Sequence, residues 1–303
     1  MTETKQLDLQ DFPVACLYVV STPIGNLFDL TYRATHILSN VDGIACEDKR
    51  HTTSLLKAFN IQRPLLALHE HNEMEASQTI ASHLAAGQRW AYVCDAGTPG
   101  ISDPGARLVS TLIKGGYRVI PIPGVSAVTT LASVGGAANL QTDGRFQFLG
   151  FLPNKTKDRD LSLQKINAFS LNTIVYESPV RIQKTLEDLY AALEDKNRMV
   201  VIGRELTKKF ETITYLKVHE IPSWLLGKPE LRGEFSILIE GRPLTESAEP
   251  NSAGDVPINP QLLASLLNPY LGSKDISEIF AKAGIMTKKN AYQLAINNKT
   301  LPS

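Results

Sequence analysis

The strongest constraint on this chain is an alternation that repeats from Cys16 to Gly136: a short apolar run, a polar or glycine-bearing turn, then a segment with helical periodicity. The apolar runs are Cys16–Ser21, Gly43–Cys46, Leu65–Leu68, Ala91–Asp95 and Arg118–Ile122. Between them stand Leu30–Leu38, Thr52–Phe59, Met74–Ala86 and Ala106–Lys114, whose apolar residues recur at helical spacing. A strand that is apolar throughout has no solvent face, so both faces of its sheet must be covered, and the intervening helices supply the cover. The pattern predicts an α/β fold built on a parallel sheet. Tyr32, Ile37 and Leu38, and likewise Leu108, Leu112 and Ile113, read as core faces of two of these helices.

Gly135–Gly144 is small and polar and marks a first domain boundary. A second α/β set follows, with strands expected at Phe146–Leu149, Thr173–Tyr176, Met199–Ile202, Thr212–Leu216 and Phe235–Ile239, and helices at Lys157–Phe169 and Ile182–Leu193. Glu246–Pro257 has linker composition. Beyond it Gln261–Leu267, Ile276–Ala283 and Lys289–Asn297 read as short helices broken by Pro269 and Gly284, forming either a helix-turn-helix-like module or a packing element. The expected division is an N-terminal extension over 1–15, α/β domains over 16–137 and 145–242, a linker over 243–259 and a helical tail over 260–303. A chain of 303 residues is comfortable for two cores.

Formal net charge is +0, so no global field draws the protein to nucleic acid or anionic lipid, and any such partner needs a local patch. Cys16, Cys46 and Cys94 lie far apart in apolar runs and read as small buried residues of a reducing compartment. Met1–Phe12 lacks the basic and apolar regions of a signal peptide. No apolar stretch approaches the ~20 residues that span a bilayer, and a cytoplasmic protein is expected.

In open parallel sheets, ligands bind beyond the carboxyl ends of the strands. Four segments of unusual composition fall there: Ser21–Leu27, Glu47–Thr52, Asp95–Gly105 and Ile122–Ala127. The third is the most informative. Three glycines and two prolines in eleven residues fix an irregular backbone that a ligand can approach closely. An ordinary connection needs only about two to six residues. Asp103 and Pro104 also suit the cap and first position of the following helix. Glu47-Asp48-Lys49-Arg50-His51 is the densest charge cluster, and reads either as a solvated helix cap or as a wall of the cleft. There is no phosphate-binding GxxxxGK[ST], no GxGxxG and no GxSxG word. His69, Glu70 and His71 are adjacent and cannot all face one ion from a regular element, so no metal site is expected.

These loops resemble the tetrapyrrole (corrin and porphyrin) methylase superfamily, and within it the ribosomal RNA small subunit methyltransferase I family. The matching words are Ser21–Asp29 (STPIGNLFD), Glu47–Thr52 (EDKRHT), Cys94–Gly105 (CDAGTPGISDPG), Pro123–Ala127 (PGVSA), Tyr176–Ile182 (YESPVRI), Gly203–Glu211 (GRELTKKFE) and Gly233–Phe235 (GEF). Their order and spacing agree from about Leu17 to Gly241, and Lys288–Leu294 fits as well. Lys49 stands where the family more often has threonine, and Cys94 where it often has serine.

The resemblance implies two α/β domains with S-adenosylmethionine in the cleft between them, a homodimer, and 2′-O-methylation of a cytidine ribose in the decoding centre of 16S rRNA. It implies cofactor contacts from Pro23, Asp95, Ala96, Gly97, Thr98, Ile101, Ser126, Ala127 and Tyr176, with Arg204, Glu205, Glu234 and Phe235 closing the second side. A 2′-hydroxyl needs a base, and Glu47, Asp48 and Asp103 are the candidates in the cleft loops. Phosphate contacts call for Lys and Arg; Asn26, Arg50, Lys155, Arg181, Lys208 and Lys209 are the expected RNA contacts. Lys157, Arg159, Arg204, Lys282, Lys288 and Lys289 add to the basic patches. No membrane or DNA partner is expected. Two other functions stay open: a methylase of tetrapyrroles or other small molecules, and a non-catalytic cofactor-binding protein associated with RNA.

Overall fold

The computed structural model describes residues 12–69, 71–243, 260–268 and 270–297. Most of the N-terminal extension, Glu70, Glu246–Pro257 and Pro269 lie outside the described residues. The chain divides into two compact units, Met1–Pro243 and Leu244–Ser303.

The first half of the larger unit runs β1 (Cys16–Val20), α1 (Tyr32–Asn40), β2 (Gly43–Cys46), α2 (Lys49–Ala58), β3 (Leu65–Ala67), α3 (Glu73–Ala85), β4 (Arg89–Val93), α4 (Ala106–Lys114) and β5 (Arg118–Ile122). The strands form one parallel sheet in the order β3-β2-β4-β1-β5. Its two faces use alternate residues of each strand, as the strand repeat requires. Cys16, Tyr18 and Val20 pack with Ala34, Ile37 and Leu38 of α1 and Leu56 of α2. Leu17, Trp90 and Tyr92 pack with Ile80 and Leu84 of α3 and Leu108 and Leu112 of α4. Both faces are covered, which is why the strands read as unbroken apolar runs. Chain leaving β1 crosses to one side of the sheet and chain leaving β4 to the other. These neighbouring strands therefore flank a crevice at their carboxyl ends.

Two details depart from the sequence reading. Tyr32 and Ile113 are exposed, at 98% and 59%, and belong to no core face. Asp103 does not cap α4. The cap position is Gly105, at φ 115°, and the capping group comes from another helix. Glu73, 6% exposed at the start of α3, accepts the backbone N–H groups of Gly105, Arg107 and Leu108 on one oxygen at 2.9–3.1 Å. A carboxylate there satisfies donors that α4 cannot satisfy itself and meets the positive end of its dipole.

The second half runs α5 (Ala127–Ser133), α6 (Ala137–Thr142), β6 (Phe146–Phe151), α7 (Thr156–Ala168), β7 (Asn172–Glu177), α8 (Ile182–Ala192), β8 (Met199–Arg204), β9 (Thr212–Lys217), α9 (Ile221–Leu226) and β10 (Phe235–Ile239). The sheet order is β6-β7-β10-β8-β9, with β6 and β7 parallel and the remaining pairs antiparallel. Helices α7, α8 and α9 cover one face through Leu163, Ile166, Leu186, Leu189 and Ile221. Val128 and Leu131 of α5, with Ala138 of α6, cover the other.

The Gly135–Gly144 segment, small and polar in sequence, carries α6. Asn172 in β7 is buried and donates to Ala138 O at 3.0 Å and Thr142 Oγ1 at 3.1 Å, while its own oxygen accepts Gly241 N–H at 3.0 Å. Buried Arg198 donates to Ile166 O, Asn167 O and Glu240 O at 2.7–3.2 Å, satisfying carbonyls at the end of α7.

The smaller unit holds α10 (Pro260–Leu267), α11 (Ser273–Lys282) and α12 (Lys288–Asn297) around Ala264, Ile276, Phe280, Ala291 and Ala295. No helix among the described residues is long and apolar enough to cross a membrane.

Candidate active site

The four loops picked out by composition converge. Thr22 and Gly97 exchange backbone bonds, Thr22 N–H to Gly97 O at 2.8 Å and Gly97 N–H to Thr22 O at 3.0 Å. The Thr98 hydroxyl donates to Val125 O at 3.0 Å, so Ser21 donates to it across 3.0 Å. One side chain thus joins the first, third and fourth loops. Asp95 accepts the Asp48 N–H at 3.2 Å and brings in the second. Gly97 holds φ 81°, and a Cβ there would sit 3.3 Å from Ile24 Cγ2, so a side chain would be strained and would crowd the first loop.

Against these loops stands the end of the second sheet formed by the carboxyl ends of β6, β7 and β8 and the start of β10. Between the two walls is a cavity of about 310 Å³. Ala96, Gly97, Thr98, Ile101, Asp103, Ser126 and Ala127 line one side, and Tyr176, Glu234 and Phe235 the other. Nine of the expected cofactor residues therefore meet around one space, together with the candidate base Asp103.

The others fall elsewhere. Pro23 and Asp95 do not line the cavity. Arg204 donates to Arg232 O at 2.7 Å and Phe210 O at 3.1 Å and lines a smaller cavity of about 170 Å³. Glu205 accepts Glu234 N–H at 2.8 Å and the Lys208 ammonium at 2.9 Å. Ile24, Ser102, Phe151, Glu177, Ser178, Pro179, Leu206 and Ser236, none of them named as an expected contact, also line the cavity. Three of these belong to the Tyr176–Ile182 word, whose density of polar residues and proline after an apolar strand was the available signal.

The carboxylates separate by environment. Burial, then the neighbouring carboxylate of Asp95, pushes Asp103 above the usual range, against an opposing hydrogen bond from Cys94. Glu47 is also raised, by burial first and then by Asp95, Asp103 and Asp48, but it does not line the cavity. Asp48 caps α2, accepting the Arg50 N–H at 2.7 Å and pairing with the Arg50 guanidinium at 2.8 Å. Those bonds pull it down to about 2, which makes it a poor base. Burial raises the Cys94 thiol well above its ordinary value, so it stays protonated.

Several expected RNA contacts are already neutralised inside the protein. Lys208 bridges Glu205 and Glu234 at 2.9 and 3.0 Å. Arg181 pairs with buried Glu177 at 3.2 Å and reaches Leu152 O and Asn154. Arg159, which the sequence places in a basic patch, is 8% exposed and bonds Asp188 at 2.7 Å and Thr185 at 2.6 Å. Asn26 caps a 3₁₀ turn through Phe28 N–H. Lys155 and Lys157 are exposed, and Lys209 lies 5.5 Å from the centre of the Phe210 ring. In the smaller unit Lys282 and Lys288 face Glu278 at 3.0 and 4.0 Å. His69 and His71 stand edge to face, 6.1 Å apart.

Two parallel-and-mixed sheets with a loop-walled cleft between them define a known class. The family model described as Tetrapyrrole (Corrin/Porphyrin) Methylases matches residues 16–222. The fold is shared with a cobalt precorrin-4 methyltransferase of cobalamin biosynthesis (TM-score 0.56, 16% identity, 74% of this chain and 94% of that one). It is shared too with a uroporphyrin-III C-methyltransferase from Thermus thermophilus complexed with S-adenyl homocysteine (TM-score 0.51, 18% identity, 73% and 96%). Full-length relatives are more specific. The ribosomal RNA small subunit methyltransferase I of Escherichia coli O157:H7 is 40% identical over 97% of this chain and 99% of its own length. That of Haemophilus influenzae is 39% identical over 92% and 96%. The chain belongs to the ribosomal RNA small subunit methyltransferase I family and is a methyltransferase.

Proposed function

We propose that the protein transfers a methyl group from S-adenosylmethionine to the 2′-hydroxyl of a cytidine in the decoding centre of 16S rRNA. The observation that carries this reading is the cavity at the crevice between β1 and β4, walled by Ala96–Asp103, in a chain of this family. The cavity suits the cofactor. Its volume of about 310 Å³ matches one small molecule. Ile24, Ile101, Leu206 and Phe235 give apolar walls, and Asp103 and Glu234 give carboxylates that favour a cationic ligand. Ala96 and Thr98 would hold it through backbone groups on either side of Gly97, whose own N–H and C=O are bonded to Thr22. S-adenosylmethionine supplies an electrophilic methyl on a sulfonium.

The chain's own contribution is position and a proton acceptor. Asp103 is the candidate that lines the cavity and carries a raised carboxylate, so it is assigned as the base that takes the ribose hydroxyl proton. Glu47 and Asp48 then shape the field and cap α2. Exposed Lys155, Lys157 and Lys209 are left as cations for phosphates, while Arg159, Arg181 and Lys208 support the walls. The reading includes a cytoplasmic homodimer acting on the small ribosomal subunit, as the family resemblance implies. Incubation with labelled cofactor and small subunits from a strain lacking the enzyme tests it. Label in the RNA is expected; label only in a porphyrinoid, or in no substrate, contradicts it.

A further inference from the structure

The cavity of about 310 Å³ lies at the lower end of the range for one small-molecule ligand. Once a methyl donor fills it, a macromolecular acceptor meets it at the rim. The rim at β6 and β7 has two features that the fold does not explain. Phe151 ends β6, an edge strand, and is 53% exposed although it lines the cavity. Its direction is set by an irregularity: the β6–β7 register shifts between Phe148 and Phe151, and Gly150 sits at φ 67°. The ring is also braced, with its centre 5.7 Å from that of Tyr176 at 64°, while Phe148 holds Tyr176 from 4.8 Å. An apolar ring fixed by neighbours and open to solvent at a ligand cavity is a surface prepared for a planar partner.

Ser178 is the second feature. It lies two residues beyond Tyr176, which pairs with Phe151 in the sheet. Its backbone N–H is fixed by Glu177 at 2.8 Å. Its hydroxyl oxygen is buried, and it has no hydrogen-bond partner among the described residues. A buried hydroxyl is ordinarily satisfied, and this residue lines the same cavity.

We propose that Phe151 and Ser178 form a subsite for the target nucleobase, Phe151 stacking on it and the Ser178 hydroxyl turning from its buried position into the cavity to hydrogen-bond its edge. This rests on the RNA reading above. A nucleotide whose ribose enters a recessed pocket leaves its own stack, and an aromatic side chain at the mouth replaces the lost stacking.

The test compares wild type with Phe151→Leu, Phe151→Trp and Ser178→Ala, measuring methyl transfer to small ribosomal subunits lacking the modification and binding of S-adenosylhomocysteine by calorimetry. Phe151→Leu is expected to lower kcat/KM for subunits by about 5- to 150-fold, the range of base stacking on an aromatic ring. Phe151→Trp should keep at least half the wild-type value, and Ser178→Ala should lose about 3- to 30-fold, as for one hydrogen bond. Cofactor affinity should change by less than about threefold in all three, by the same scale. Unchanged kcat/KM in Phe151→Leu overturns the subsite, and so does a matching loss of cofactor affinity, which would assign the ring to the donor site. If wild type itself methylates no subunit RNA, the RNA reading fails and the subsite with it.

Discussion

Glu73 is the residue whose removal tests how the donor pocket is held. Its one oxygen accepts the N–H groups of Gly105, Arg107 and Leu108, and those residues follow directly on the loop that lines the cavity. Glu73→Ala would leave three donors unpaired, two of them in buried bonds. Loss of a helix cap alone costs about 0.5–2 kcal/mol. A hydrogen bond to a charged group is worth about 1.5–3 kcal/mol, and a stranded buried donor costs about 1–3 kcal/mol. These overlap rather than add, so about 3–5 kcal/mol is expected, a large share of the ~5–15 kcal/mol that holds a domain together. Glu73→Gln keeps an acceptor oxygen and should lose about 1–2 kcal/mol, the charge-related part. Urea unfolding followed by tryptophan fluorescence measures this, because Trp90 is buried in the first sheet beside α3 and α4. With a slope of about 3 kcal/mol/M, the midpoint for Glu73→Ala falls by about 1–1.7 M. Cofactor affinity should fall as well, since the Asp95–Gly105 loop loses its far anchor. A midpoint within about 0.3 M of wild type, below the shift for 1 kcal/mol, would show that Glu73 does not hold the start of α4.

Four further substitutions have expected outcomes. Asp103→Asn should lower kcat by about 10²- to 10⁴-fold with cofactor affinity retained, and wild-type kcat should rise with pH through a step above the ordinary carboxylate range, measured as a pH–rate profile. Because the folded state holds the Asp103 proton more tightly than the unfolded chain does, its contribution favours folding at low pH and is lost as pH rises through the raised value; Asp103→Asn should therefore raise the urea midpoint at pH 7. Arg198→Met leaves Ile166 O, Asn167 O and Glu240 O without their donor and should cost at least about 1–3 kcal/mol, the penalty of one stranded buried group, in the same unfolding assay, whereas Arg50→Ala, at an exposed pair, should leave the midpoint unchanged. Gly105→Ala meets both φ 115° and Tyr92 Cε1 at 2.3 Å, and should cost at least ~2 kcal/mol.

Much of the first sheet was legible because burial on both faces writes an unbroken apolar run, as in Leu17–Val20. The meeting of four loops was legible because only their strand-end positions and odd composition were needed. What could not be read was any contact between distant residues. Asp103 has the right chemistry and place to cap α4, but Glu73 does so from 32 positions away. Arg159, Arg181 and Lys208 look like free cations in sequence, and each is neutralised by a carboxylate that the fold brings up. Helices α5, α6 and α9 have seven residues or fewer, too short for a helical period to stand out. Phe151 looks like one more apolar residue of a strand; its role depends on the Gly150 irregularity and on β6 being an edge.

Methyl transfer to a ribose oxygen of small-subunit RNA would leave a chemical signature in the product. A 2′-O-methyl group removes the hydroxyl that attacks the adjacent phosphodiester, so the modified nucleotide survives alkaline hydrolysis as a dinucleotide. Small subunits labelled by the purified protein should therefore yield one alkali-resistant dinucleotide that carries the label on a 2′-O-methylcytidine, and Asp103→Asn should yield almost none. Label recovered on a base, in alkali-sensitive mononucleotides, or undiminished in Asp103→Asn would contradict the account.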